Sequence, residues 1–491
     1  MKRLKIAIVH HHLRGGGVTR IIQRTLEALH DFEVDVCILT GEESNDDQVF
    51  EDSKKGVIKG LSYGKENPEI SAAELVVRLK SKAQLLLNDQ PDVWHIHNHT
   101  LGKNASYTQM SVKLSEAGEK VFFHLHDFSE DNRPSNYKYI LASKNENGRS
   151  VTETMYPVAE HIRYGVLNDK DLSILKKTGL DKEYLELLSN PVVVDDQSVS
   201  QPKKEAKYPD SIDQLYVYPV RVIPRKNIGE LVLWATLGKK GDHFATTLAP
   251  KNPKYLEDYK DWVSFVEERN LQVTFEAGEK WDMEFEKLLT RSDGIITTSI
   301  AEGFGLVYLE SWLMGKPLFG RLLPEINTDF ESKGIEFPGM YKTLNIPVEW
   351  LDTEALEKIL EQGISRLLES YGKESDSDRI KEWIELITTN GCIDFGRLNV
   401  NLQKEVIDKL LRKPKLKEHF GPLNNGSVEK DVIAKNNQKV TENYSLAEYG
   451  AKLMSIYSEL SDSVPGKVRY LDSTNVLDQF LSPKHFSLLR N

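Results

Sequence analysis

Short apolar runs rich in β-branched residues recur along this chain, each followed by a stretch of helical period. This alternation limits the fold more than any single motif. Ile6–Val9, Val34–Thr40, Asp92–His97 and Val121–His126 read as strands, and Ile21, Ile22, Leu26 and Leu29 keep a helical spacing between the first two. Strands apolar on both faces, separated by amphipathic helices, mean βαβ units and a parallel sheet. The pattern breaks at Asp195–Ser211, a polar stretch with two prolines that reads as an interdomain linker. It then restarts with strand candidates Leu215–Val220, Phe244–Leu248, Val273–Glu276, Gly294–Thr298 and Pro317–Gly320, and helices at Asn227–Leu237 and Tyr255–Arg269. The expected class is α/β, with domains at 1–195 and 205–370. A helical and polar addition follows at 371–440, and 441–491 holds a late helix, Tyr444–Leu460, and a tail.

Composition sets the broad class. The 491 residues suit roughly two to four domains. With 64 Lys+Arg against 75 Asp+Glu the net charge is −11, which argues against a nucleic-acid-coating protein. Hydrophobic residues at 39% and charged residues at 28% fit a folded globular chain. Cys37 and Cys392 are the only cysteines, so neither a disulfide framework nor a cysteine zinc site is available, and a reducing compartment, the cytoplasm, is expected. No segment reaches the ~18 apolar residues of a membrane span, and the apolar run after Met1 is too short for a signal peptide. Glu374–Asp378 contains an acidic D-x-D among serines, which reads as a solvated loop or helix cap.

The most specific segment is Asp293–Glu310 (DGIITTSIAEGFGLVYLE), in which a strand runs into a polar loop, two glycines and a helix. Glycine lets backbone approach a ligand, and the N–H groups opening a helix suit an anion such as a diphosphate. Glu302 falls at the strand's carboxyl end, where open α/β sheets bind ligands. Glu310 is expected two turns into the helix, roughly 7 Å past Gly305, placed to chelate a ribose diol. A second element, Arg221–Asn227 (RVIPRKN), crowds three cations into a strand-to-helix turn, with Asn227 as the helix N-cap. Cations there would neutralise a departing diphosphate.

The turn Gly15-Gly16-Gly17 follows the first strand, but Arg20 occupies the third glycine position of a dinucleotide fingerprint, which disfavours a NAD site. Eight histidines, His10, His11, His12, His95, His97, His99, His124 and His126, fall at strand ends of the first domain and are expected to face one crevice. His95, His97 and His99 share a face if the strand extends that far. A dinuclear metallohydrolase would add an acidic residue to such a run, and none lies within it. They read as crevice-lining or core residues, with no metal ligands assigned and His126, before Asp127, as the substrate-facing one.

Together these motifs resemble the retaining GT-B glycosyltransferases of the large family that includes sucrose-phosphate synthases and bacterial mannosyltransferases. The resemblance spans about residues 4–330 and the late helix. Its most specific part is the Glu-x7-Glu motif, Glu302 to Glu310, supported by RVIPRKN, the glycine loop, DVWHIHNH, HLHD and SNPVVVDD. It departs at Val220, where the family commonly has glycine. The resemblance implies two Rossmann-like domains facing across a cleft, with the nucleotide sugar on the second and the last helix crossing back to the first. By the same resemblance Arg221 and Lys226 grip the donor diphosphate and Glu302 contacts the transferred sugar. Gly303, Phe304, Gly305 and Leu306 hold hydroxyls and phosphate through backbone N–H groups, and Glu310 binds the ribose. His126 lies at the opposite sugar face, and Gly15–Gly17 touch phosphate or acceptor.

The expected activity is metal-independent hexosyl transfer from a UDP-, GDP- or ADP-linked sugar to a hydroxyl of a small soluble acceptor, with retention and without cofactor. Arg14, Arg20 and Arg133 would suit an anionic acceptor. The readings it competes with are a nucleotide-sugar epimerase on the same fold, a histidine-based metal-dependent hydrolase, and a non-catalytic nucleotide-sugar binder.

Overall fold

The computed structural model describes residues 3–42, 50, 53–64, 70–193, 212–421 and 428–490. The expected linker Asp195–Ser211 lies outside them. The chain forms two compact units, Met1–Pro191 with Tyr444–Ser482, and Val192–Asn443 with Pro483–Asn491. No helix among the described residues is long and apolar enough to cross a membrane.

Unit 1 is built on β1 (Leu4–His10), β2 (Val34–Thr40), β3 (Lys54–Val57), β4 (Val93–His97), β5 (Val121–Leu125), β6 (Ile162–Val166) and β7 (Leu185–Leu187). All seven are parallel, in the order β3-β2-β1-β4-β5-β6-β7. β4 and β5 are buried at every position, which is why they appear as unbroken apolar runs with only histidine intruding. β6 and β7 carry charged and small residues (IRYGV, LEL), and their sequence gives no comparable signal. Helix α1 (Gly17–Leu29) covers one face.

Unit 2 repeats the scheme with β8 (Gln214–Arg221), β9 (Asp242–Leu248), β10 (Val273–Thr274), β11 (Gly294–Thr297) and β12 (Leu318–Gly320), parallel in the order β10-β9-β8-β11-β12. β10 stops at Thr274, two residues before the expected end, because Glu276 takes a left-handed conformation (φ 54°) and caps a short helix. Helix α2 (Ile228–Leu237) follows β8, and the seven-residue α3 (Val307–Leu313) follows β11.

The described residues of 371–440 pack into unit 2. β13 (Asn345–Pro347) pairs antiparallel with β14 (Cys392–Asp394). Arg321, fully buried after β12, reaches Glu230 of α2 with Nη2 at 2.5 Å and holds Asp394 with Nη1 at 2.8 Å and Nη2 at 2.9 Å. Helix α4 (Val400–Arg412) packs on α2, its buried Gln403 donating to Asn227 Oδ1 at 2.8 Å. Helix α5 (Lys430–Asn443) packs on α3, Asn437 donating to the Trp312 carbonyl at 3.1 Å. The acidic D-x-D is a cap, Asp376 accepting from the Arg379 amide.

Helix α6 (Leu446–Asp462) belongs to unit 1 and packs on α1, with the Thr25 and Tyr449 hydroxyls 3.0 Å apart. The last residues do not stay with it: Arg397 of unit 2 donates to the Pro483 and Phe486 carbonyls, both at 2.8 Å. A Cβ at Gly229 of α2 would meet Gln403 Oε1 at 2.1 Å and Trp262 Cζ2 at 2.7 Å. Gly229→Ala is therefore expected to destabilise the chain by about 1–3 kcal/mol, seen as a lower urea midpoint. An unchanged midpoint would mean that α4 does not pack there.

Candidate active site

In both sheets the strand order turns back on itself beside the first strand: β1 lies between β2 and β4, and β8 lies between β9 and β11. The carboxyl ends at such a switch point leave a crevice where α/β sheets bind ligands. In unit 2 the segments leaving this point are Arg221–Asn227, after β8, and Thr298–Leu306, after β11.

These two segments are stitched together by backbone and side chains. Ile300 N donates to the Arg225 carbonyl at 2.9 Å. Thr298 Oγ1 lies 3.0 Å from the Lys226 carbonyl and 3.1 Å from that of Asn227. Glu302 sits at the centre, its side chain 8% exposed. Arg225 Nη1 donates to its Oε2 at 2.5 Å, Lys226 Nζ to its Oε1, and Ser299 Oγ to Oε1 at 2.5 Å. Ser299 is itself 2.6 Å from the Tyr218 hydroxyl. Burial alone would raise the Glu302 pKa, but Lys226 and Arg225, with the Lys226 and Ser299 hydrogen bonds, outweigh it and hold it down to about 2. The carboxylate is ionised at neutral pH.

Glu302 and Lys226 thus meet in one cluster, whereas Arg221 lies elsewhere. Its Nη1 donates to the Ala249 carbonyl at 2.7 Å, at the end of β9. The arginine beside Glu302 is Arg225, which the sequence offers only as one of three cations; nothing in the spacing RVIPRK separates the two. Ser299 was equally silent, since a serine in a polar loop carries no signal of its own. Asn227 does not cap α2 with its side chain: it is left-handed (φ 49°), and its Nδ2 donates to Glu230 Oε2 at 2.7 Å.

Beyond Glu302 the chain turns through Gly303-Phe304-Gly305-Leu306. Gly305 has φ 85°, and a Cβ there would meet the Tyr308 ring at 2.8 Å, so this position needs glycine twice over. Phe304 is buried edge-on against Phe330. Because α3 begins only at Val307, Glu310 stands in its first turn, not two turns along.

In unit 1, Gly17 opens α1, and a Cβ at Gly15 or Gly17 would meet nothing within 4 Å. The histidines do not line one open crevice as expected. His95, His97 and His124 are fully buried in β4 and β5. β4 ends at His97, Asn98 is left-handed (φ 53°), and His99 turns away to the Met155 carbonyl at 2.9 Å. His126 is half-buried, its backbone N–H bonded to Asn98 Oδ1 at 2.7 Å.

The loop after His126 is pinned by the ion pair of Arg133 with Asp127, and Arg14 pairs with Glu42 at 2.5 Å. Beneath the loop Glu130 is buried, accepting from the Tyr156 hydroxyl and from Ser129 Oγ, both at 2.9 Å. Burial pushes its pKa up to about 7.

No protein-family model matches the chain. It is 24% identical to the mannosylglucosyl-3-phosphoglycerate synthase of Petrotoga mobilis over 525 residues, covering 98% of both chains. Among solved structures, a glycosyltransferase of Rickettsia africae superposes with TM-score 0.54 at 14% identity, over 94% of this chain and 100% of its own. HepE of Anabaena, in complex with UDP and glucose, gives 0.52 at 12%, over 93% and 99%. Sucrose-phosphate synthase of Thermosynechococcus elongatus gives 0.50 at 13%, again over 93% and 99%. The fold is GT-B, with two Rossmann-like units in one chain.

Glu130 allows a test of the site's electrostatics. Its folded pKa lies above that of the unfolded chain, so the stability it contributes is present below about 4.5 and lost as pH rises through about 7. The melting temperature of the wild type is expected to fall relative to that of Glu130→Gln between pH 5 and pH 8. Parallel melting curves would contradict the buried carboxyl.

Proposed function

We propose that this chain is a retaining glycosyltransferase that moves a hexosyl group from a nucleoside-diphosphate sugar to a hydroxyl of a small, soluble, phosphate-bearing acceptor. The observation that carries this reading is the ionised Glu302 held between Lys226 and Arg225 at the switch point of a GT-B unit, with a glycine turn running on into α3. The Petrotoga relative, matched from end to end, makes by its name mannosylglucosyl-3-phosphoglycerate, which supports an anionic acceptor here. The UDP and glucose bound to HepE support a nucleotide-linked donor.

In this reading the acceptor oxygen attacks C1 of the donor sugar from the face that the diphosphate leaves. The bond from C1 to the diphosphate oxygen breaks, the bond to the acceptor oxygen forms, and the acceptor's proton passes to the departing diphosphate. Configuration at C1 is retained. Lys226 and Arg225 take the charge of the leaving group, so the step needs neither metal nor cofactor, and each such contact contributes about 2–4 kcal/mol. Glu302 faces the sugar and steadies its positive charge. Backbone N–H groups of Gly303–Leu306 hold hydroxyls and phosphate, and Glu310 binds the ribose. His126 is the substrate-facing histidine of unit 1. The Gly15–Gly17 turn has room for acceptor or phosphate, with Arg14, Arg20 and Arg133 as ligands for the acceptor's anionic group. A cytoplasmic setting fits the two free cysteines.

The test is release of nucleoside diphosphate from a nucleotide sugar, measured with and without 3-phosphoglycerate-linked sugars as acceptor. Release is expected to depend on acceptor, and Glu302→Ala is expected to lower kcat by about 100-fold or more while nucleotide binding persists. Transfer by Glu302→Ala at the wild-type rate would refute the site. Acceptor-independent inversion of a donor sugar hydroxyl would make the chain an epimerase instead.

A further inference from the structure

The transfer chemistry uses only His126 among the clustered histidines of unit 1, and the buried ones are arranged in a way that packing alone does not explain. The strand register sets them side by side. His97 pairs with His124 across β4 and β5, and His95 lies on the same face of β4, two residues earlier. His10 follows the last paired position of β1 with β4, Val9 with Ile96, and its ring centre is 5.9 Å from that of His97. The sheet therefore carries a patch of imidazoles on three neighbouring strands, closed off from water.

The nitrogens are divided in a telling way. The outer nitrogen of His95, Nδ1, is 2.7 Å from the Tyr457 hydroxyl, and Nδ1 of His97 is 2.9 Å from His126 Nε2. Inward-facing nitrogens converge: one from each of His95, His97 and His124 lies within 4.8 Å of the others. His95 Nε2 and His124 Nδ1 are 3.2 Å apart. That matches the edge of about 3.3 Å expected for a tetrahedron with metal–nitrogen bonds of about 2.0 Å. With His124 presenting Nδ1 and His95 presenting Nε2, the remaining converging atom is His97 Nε2, which is buried and has no hydrogen-bond partner among the described residues. A buried imidazole nitrogen left unpaired is unfavourable. A metal-ligating histidine shows the pattern seen here for His95 and His97, its far nitrogen fixed by a second group.

We infer that His95, His97 and His124 bind one divalent transition-metal ion of the zinc class. An all-imidazole set selects zinc, copper, cobalt or nickel over magnesium or calcium, which prefer oxygen. The ion is structural: it ties β4 to β5 and, through the bond between His97 and His126, fixes the His126 ring. Only that last consequence rests on the transferase reading.

The experiment loads the purified full-length chain with zinc chloride, dialyses it, and counts bound zinc by mass spectrometry of the acid digest. A parallel sample is loaded with cobalt and examined for the intense visible bands of a tetrahedral site. The wild type is expected to keep about one ion per chain and to show the cobalt bands. H97Q/H124Q is expected to keep less than a tenth of that, and the exposed-site control H30Q to match the wild type. A folded wild-type chain that keeps less than a tenth of an ion after loading overturns the inference, leaving the histidines as a mutually hydrogen-bonded core. So does a double variant that binds zinc as the wild type does. Should the double variant fail to fold, the wild-type zinc count and cobalt spectrum still decide. Neither measurement involves a sugar, so failure of the metal site and failure of the transferase reading are separately visible.

Discussion

The ion pairs of Glu302 with Lys226 and Arg225 are the interaction on which unit 2's site depends. A carboxylate this deeply covered is tolerated only if it is paired, and removing one partner from a buried pair typically costs about 3–5 kcal/mol. Here the pairing also sets geometry. It fastens the turn after β8 to the loop after β11, and so fixes both the cations and the start of the glycine turn. In the proposed reading the same cations would have a second partner in the donor diphosphate, and its arrival would draw part of their contact away from Glu302.

The frame that delivers these groups was largely legible in the sequence. Strands covered on both faces are rich in apolar residues, and the apolar runs within β1, β2, β4, β5, β8, β9 and β11 mark them in the sequence. β6 and β7 carry no such mark, because Arg163, Gly165 and Glu186 interrupt the apolar run. The place of residues 371–440 was hidden for a different reason. What ties them to unit 2 is Arg321 with Glu230 and Asp394, and Gln403 with Asn227, contacts between residues far apart in sequence that leave no periodic trace. The polar composition points outward, while the buried Leu402, Gln403, Val406, Ile407 and Leu410 of α4 point in.

The site was legible as a neighbourhood and less so as a set of roles. Glu302 alone reads equally as a helix cap; it stands out only together with the two glycines, Glu310 and the basic turn RVIPRKN. Which of Arg221 and Arg225 would meet it depends on the path of a three-residue turn, and composition is blind to that. Glu310 was placed one turn too far into its helix, because the glycine turn delays helix formation to Val307. The histidines show the converse limit. Their alternation gave the shared face of His95 and His97, but only the register of β4 against β5 brings His124 alongside them, and only the left-handed Asn98 takes His99 out of the group.

The central claim is that the basic turn after β8 and the Glu302 loop form a nucleoside-diphosphate site. Calorimetric titration of the full-length chain with UDP, GDP and ADP tests it most directly. At least one of the three should bind saturably, with an affinity that falls as salt is added and drops by about tenfold or more in Lys226→Met, as expected for loss of a charge-assisted phosphate contact. Absence of binding by all three, or binding that Lys226→Met leaves unchanged, would contradict it.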